Sequence, residues 1–119
     1  MTTNRWVQVA AIAMTIAVAL GALGAHLLET RLEEQGTTAT WKTAVLYQMV
    51  HGLALLCLAL NERLSKVTGW CFAVGIVCFS GSLYALSLGA PGMVFGPITP
   101  IGGLLFLVGW LGLAISKSH

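Results

Sequence analysis

His51 stands in the middle of an apolar stretch, Trp41–Leu60. Helix rise puts it roughly 15 Å from the C-terminal end of that stretch. Gln48 and Tyr47 lie three and four residues earlier and share its side of a helix. A later stretch, Gly69–Leu88, carries Ser80, Tyr84 and Ser87 at i, i+4 and i+7. In an antiparallel neighbour Ser80 comes to about the depth of His51, and Tyr84 to about that of Gln48. A neutral imidazole has one donor and one acceptor. Lipid pairs with neither, so ionisable groups at depth face the bundle interior. The spacing predicts a buried cluster of His51, Gln48, Tyr47, Ser80 and Tyr84, with His51 hydrogen-bonded to Ser80 or Tyr84. Such a cluster would act as a proton relay or ligand site. Alternatively it is a satisfied network between helices, with each bond contributing about 0.6–2 kcal/mol. The second use needs nothing beyond the residues themselves and is preferred.

Other chemistry finds less support. His26 lies near the outer end of the first apolar stretch with Glu29 one turn further on, which predicts an ion pair at the outer interface. Histidine with Met14, Met49 and cysteine would suit a soft metal, but no ligand pair has a recognised spacing. Cys57, Cys71 and Cys78 all fall inside apolar stretches and form no CxxC, so they read as small packing residues. There is no carboxylate dyad and no nucleophile–base pair. No catalytic residue, metal or cofactor is expected, and an enzyme ranks behind the other readings.

The elements that would position these residues follow from composition. Hydrophobic residues make up 57% of the 119, charged residues only 8%, and the mean hydropathy is +0.87. Soluble domains carry about a quarter charged residues, and a soluble chain this short could not hide so much apolar surface. Four stretches, Trp6–Leu28, Trp41–Leu60, Gly69–Leu88 and Ile101–Ile115, approach the roughly 20 residues that cross a bilayer. Backbone polar groups cannot be left bare in lipid, so the spans must be helices. The expected fold is all-α, a membrane four-helix bundle forming one domain over residues 1–119. The fourth stretch is short and is expected to extend towards Lys117, whose stem reaches the interface. A competing reading of the first stretch, a secretory signal ending at Ala22-Leu23-Gly24-Ala25, is disfavoured by its length and by an n-region holding only Arg5.

Arg5, Arg63, Lys66 and Lys117 fall on one side of such a bundle, against Arg31 and Lys42 on the other. The excess of cations predicts both termini in the cytoplasm. Leu28 and Leu32 predict a short surface helix in the first outer loop, ended by Gly36. Thr40 is the expected N-cap of the second span, and Thr99-Pro100 the expected cap and first-turn proline of the fourth. The uncharged loop Gly89–Pro97 is expected to pack on protein or dip into the headgroups.

Helices in lipid associate through small residues. Ala13, Ala17, Gly21 and Ala25 form one strip at four-residue spacing; Gly69, Ala73, Gly81 and Ala85 form another, interrupted by Val77. The strips would pack on each other or on a second copy, the first strip being preferred for a homo-oligomer. A core filled by four close helices leaves no wide aqueous channel within one chain. The net charge of +2, with no basic run, points to no nucleic acid. Expected partners are membrane lipid, further copies and another membrane protein.

Four segments together resemble a known family. They are Gly21-Ala22-Leu23-Gly24-Ala25-His26, the run Trp41–His51 (WKTAVLYQMVH), Phe79-Ser80-Gly81-Ser82-Leu83-Tyr84, and Gly96–Gly103 (GPITPIGG). In this order they are similar to the YgdD/YwdK-like family of small four-span inner-membrane proteins of unknown function. The resemblance covers nearly the whole chain. It implies an inner-membrane location, four spans and retention of the first one, and it supplies no catalytic residue. The leading functional expectation is a non-enzymatic bundle acting through packing, in membrane integrity or assembly. The alternative is an oligomeric transporter or channel for a small solute or proton that uses His51 and Gln48.

Overall fold

The computed structural model describes residues 2–116, and Lys117 lies outside them. Helix α1 (Thr3–Ala25) opens at Thr2, whose hydroxyl accepts from the Arg5 N–H at 3.2 Å. A short α2 (Glu29–Gln35) follows and ends at Gly36 in the left-handed conformation, φ +68°, which costs a glycine little. Helix α3 spans Thr38–Leu60. Helix α4 (Lys66–Gly75), capped by Ser65, runs through a π-helical turn at Ile76–Ser80 into α5 (Gly81–Ser87) as one continuous third span. A single-turn α6 (Gly92–Phe95) precedes α7 (Ile98–Ile115). The fold is all-helical, with four helical spans of 22–24 residues long and apolar enough to cross a membrane. At about 1.5 Å per residue each covers the roughly 30 Å hydrocarbon layer.

The spans pack in a chain of neighbours: α1 on α3, α3 on the third span, the third span on α7. The core joins Trp6, Ala10, Leu55, Ala59, Phe72, Ile76 and Phe106. Ile12, Val18, Leu104 and Leu107 stay exposed on the outer faces of α1 and α7, where lipid would cover them. The third span and α7 approach each other through glycine. A Cβ on Gly102 would lie 2.7 Å from Cα of Phe79, inside the π turn, and one on Gly75 would lie 2.6 Å from the Phe106 ring. No side chain fits at either point, so the two backbones meet where the third span widens.

Several sequence expectations are corrected. The fourth span does not gain its length towards Lys117. It gains it at the other end: α7 itself starts at Ile98, and the α6 turn before it carries the span back to Gly92. Thr99 is not the cap, which is Pro97, but lies inside the first turn of α7; Pro100 stands in that turn as expected, where a missing N–H costs nothing. Helix α3 starts at Thr38, two residues before the expected cap Thr40; Thr37 at its N-cap instead donates its hydroxyl to the Ser87 carbonyl at 2.8 Å. The short helix expected after the first span forms as α2, burying Leu32. In the loop before α7, Met93 and Val94 are exposed while Phe95 is half-buried, so the segment packs on its neighbours only in part.

Of the first strip, Ala17 is buried while Ala13 and Gly21 are half-buried, and Ala25 is exposed. The strip faces α3, and not the third span. A Cβ on Gly52 would meet Met14 Sδ at 2.9 Å and Ala13 Cβ at 3.7 Å, and one on Gly21 would touch Val45 at 3.5 Å. Trp41 of α3 fills the gap above Gly24 and donates its Nε1–H to the Leu20 carbonyl at 2.9 Å. On the third span, Gly69 receives the Trp6 ring, whereas a Cβ on Gly81 would meet nothing within 4 Å.

Candidate functional site

Helix α3 carries the polar side chains at mid-depth, and they serve two different neighbours. Gln48 is buried. Its Nε2 donates to the Ala13 carbonyl of α1 at 2.8 Å, and its Oε1 accepts from the Tyr84 hydroxyl of α5 at 2.7 Å. One amide thus ties three spans together. Tyr84 also packs edge-on against Trp41, with ring centroids 4.8 Å apart. Ser80 is fully buried and donates to the Ala44 carbonyl of α3 at 2.7 Å.

His51 belongs to a second group. Trp110 of α7 donates its Nε1–H to His51 Nε2 at 3.0 Å, and His51 Nδ1 lies 2.8 Å from the Tyr47 carbonyl. An indole can only donate and a carbonyl can only accept. Nε2 is therefore the acceptor and Nδ1 carries the proton, the pattern of a neutral ring. The imidazole stacks on Phe106 at 3.6 Å between centroids, with 10° between planes, and meets the edge of Phe72 at 5.1 Å. The Tyr47 ring lies against Phe79, with centroids 4.6 Å apart.

The five expected residues therefore lie along one side of α3 and its neighbour, but not as one network. The expected bond from His51 to Ser80 or Tyr84 is replaced by one to Trp110. The expected depth match of Ser80 with His51 fails: Ser80 meets Ala44, seven residues before His51 and about 10 Å along the helix, whereas α7 offers a donor at the depth of His51, Trp110 being 12 residues into its helix and His51 13 into α3. That match, and the indole N–H needing an acceptor, was the available sequence signal. Tyr47 is only partly covered, at 40% exposure, and contributes its carbonyl rather than its hydroxyl. His26 and Glu29 are both exposed. They are joined by a main-chain bond, Glu29 N–H to His26 C=O at 3.4 Å, in the turn between α1 and α2. Their side chains are not drawn into the polar groups of α3.

The C-terminal end of the third span has its own fittings. Its last carbonyls lack helical partners, as at any helix C-terminus. Thr37 takes the Ser87 carbonyl, and Arg31 of α2 donates to the Leu88 carbonyl at 2.9 Å, a cation placed where the helix dipole favours it. Further along the same span, Ser82 pairs with Thr99 of α7, and at its opposite end Thr68 donates to the Gly109 carbonyl at 3.3 Å. No group of three or more His, Cys, Asp or Glu suited to a metal occurs among the described residues.

A family model described as a protein of unknown function, DUF423, matches residues 20–103. The chain belongs to the DUF423 family. The match takes in Gln48, His51, Ser80 and Tyr84 and stops short of Trp110. The DUF423 chain is 46% identical over 105 residues to a UPF0382 membrane protein of Staphylococcus epidermidis, covering 85% of this chain and 84% of that one. It is 40% identical over 112 residues to the UPF0382 membrane protein YwdK of Bacillus subtilis, covering 89% of each. It is 37% identical over 114 residues to the UPF0382 membrane protein C1782.12c of Schizosaccharomyces pombe, covering 91% and 97%. No solved structure matches. The family resemblance read from the four segments is thereby borne out. Relatives named as membrane proteins, together with four apolar helices of spanning length, make this an integral membrane protein.

Proposed function

We propose that this DUF423 protein is a non-enzymatic inner-membrane protein that acts through its packed helices, with lipid, with further copies of itself or with another membrane protein. Its role on this reading is membrane integrity or assembly. One observation carries it: every buried side-chain nitrogen and oxygen among the described residues has a hydrogen-bond partner within the protein. A relay or solute path needs polar groups that can exchange partners. Here Gln48 is held from both sides, and His51 is held at both ring nitrogens. Fully satisfied networks of this kind rigidify a core.

The test is flux. Purified protein in liposomes carrying an internal pH dye should pass protons and potassium no faster than empty liposomes under an imposed gradient. A protein-dependent flux that Gln48→Leu or His51→Gln abolishes, in variants that remain folded, would replace this reading with transport.

A further inference from the structure

The loop between α3 and α4 holds a strained residue. Glu62 has φ +55° and is the one non-glycine residue in the left-handed region among the described residues. It stands just past α3, where the Arg63 N–H reaches back to the Leu58 carbonyl at 2.9 Å, a closing bond that usually follows a glycine. Gly36 and Gly89 fill the same place after α2 and α5. A glutamate there carries a backbone cost that glycine avoids, and residues held under such cost cluster at binding sites.

The Glu62 side chain lines a cavity of about 220 Å³ together with Thr3, Trp6, Ala59, Leu64 and Lys66. A carboxylate and an ammonium thus share one space, with no ion pair between them among the described residues. The space holds several waters or one small head group. It lies at an end of the bundle: Thr3 opens α1, Glu62 follows α3 and Lys66 opens α4. For spans of this length that is headgroup level. Trp70, one turn after Lys66 on the same face, is 51% exposed and edge-on to Trp6 at 5.5 Å, as aromatic residues at the membrane boundary are placed. Beyond it Val74 and Val77 stay exposed, a track for an acyl chain.

A cavity carrying both signs of charge favours a head group carrying both. An anionic lipid would leave Glu62 unpaired and be repelled by it. Arg5 and Arg63 stand at the same end but do not line the cavity, so an anionic lipid that they attract binds without Glu62. A choline head group bears its positive charge on a fully methylated nitrogen, which donates no hydrogen bond, whereas a primary ammonium has three donors. We propose that this cavity binds the head group of phosphatidylethanolamine, its ammonium on Glu62 and its phosphate on Lys66. This goes beyond the packing role and holds whether or not the bundle conducts, so the flux assay and the test below fail separately.

The full chain, purified in detergent, is offered equimolar phosphatidylethanolamine, its N-methyl and N,N-dimethyl derivatives and phosphatidylcholine, and retained lipid is counted by native mass spectrometry. One phosphatidylethanolamine per chain should be retained about fivefold over phosphatidylcholine, the upper end for an exposed ion pair, with retention falling at each methylation. This arm needs only the wild type. Lys66→Gln should lower retention of both lipids, and Glu62→Gln should remove the preference between them. Glu62→Gly should also remove it while raising the thermal midpoint, since glycine relieves the backbone; loss of fold then does not explain the effect. Equal retention of the two lipids by the wild type, a preference that survives Glu62→Gln or Glu62→Gly, unchanged retention in Lys66→Gln, or a lowered midpoint in Glu62→Gly would each overturn the proposal. So would displacement of the bound lipid by equimolar phosphatidylglycerol, which would make the site an anion site, or by equimolar free phosphoethanolamine, which would make its ligand a soluble one.

Discussion

The Tyr84–Gln48 bond offers the most direct check on how this bundle is held. Tyr84→Phe removes one donor and keeps the ring against Trp41. It leaves Gln48 Oε1 buried with no partner, since the amide's Nε2 stays on Ala13. A buried acceptor left unsatisfied costs about 1–3 kcal/mol in water-soluble proteins. Bonds between membrane helices average about 0.6 kcal/mol, because the unfolded reference also finds partners. The expected loss for Tyr84→Phe is therefore about 1 kcal/mol. Gln48→Leu removes two bonds and should cost about 2 kcal/mol on the same scale. The double variant should lose less than the sum, by a coupling of about 0.6–1.7 kcal/mol. Reversible unfolding in mixed micelles of rising SDS fraction measures all four proteins. An internal contrast sharpens the cycle: His51→Ala should couple with Trp110→Phe, and less strongly with Ser80→Ala, because His51 and Ser80 hold different partners. Coupling below about 0.3 kcal/mol for Tyr84–Gln48, or a His51–Ser80 coupling larger than that of His51–Trp110, would refute the divided cluster.

Adjacent glycines should behave oppositely. Gly102→Ala drives a methyl into the Phe79 backbone, which cannot step aside as a flexible side chain could, and should cost about 2–3 kcal/mol in the same unfolding assay. Gly103→Ala meets open space and should hold or raise stability by up to about 1 kcal/mol through helix propensity. For a homo-oligomer, the strip on α1 is already occupied by α3, which leaves the third span at Gly81 and Ala85 as the small-residue face for a second copy. Gly81→Leu should lower the mass of the particle in nanodiscs, and a wild type that is monomeric in lipid removes the proposal. Reporter fusions in the Glu33–Gly36 segment and after Ser116 should report opposite sides, the second cytoplasmic; a periplasmic signal there reverses the assigned orientation.

Depth along one helix was legible in the sequence; the register between helices, which set Ser80 against Ala44 rather than His51, and the direction around the helix axis were not. Helix rise is fixed near 1.5 Å, so counting along Trp41–Leu60 placed His51 and Gln48 at their correct levels. A soluble helix also shows which way it faces, because its polar side meets water. Here α1, α3 and α7 are apolar nearly all round, and nothing in α1 itself said that its small residues would meet α3. Residues in contact with lipid and residues in contact with protein are chemically alike, so the neighbours had to be supplied by the structure. The fourth span was misjudged for a different reason. Taking Thr99 as the cap placed the start too late: Pro97 is the N-cap and Ile98 the first helical residue, while Pro100 stands in the first turn, where an N–H is not needed.

The division of the cluster follows from the geometry of α3 itself. Residues three apart on a helix differ in direction by about 60°. Gln48 and His51 share a side of α3 by that measure, yet 60° is enough to aim one at the seam between α1 and α5 and the other at α7. A single mid-depth cluster would have required all its members to face one neighbour. Spread as they are, the polar bonds of α3 act as separate ties to every other span. Gln48 holds α1 and α5, Ser80 returns a bond to Ala44, and His51 holds α7. Apolar packing alone sets no unique rotation between helices whose faces resemble one another, and lipid competes equally for each face. A buried hydrogen bond does set it, because a wrong rotation leaves a donor or acceptor bare. On this argument the polar residues contribute register and rotation more than raw stability. Conservative loss at Gln48 should therefore loosen the bundle, seen as broadened or multiplied tryptophan side-chain resonances in NMR spectra, before it unfolds it. Sharp single resonances in Gln48→Leu, alongside reduced stability, would show that packing alone fixes the rotation.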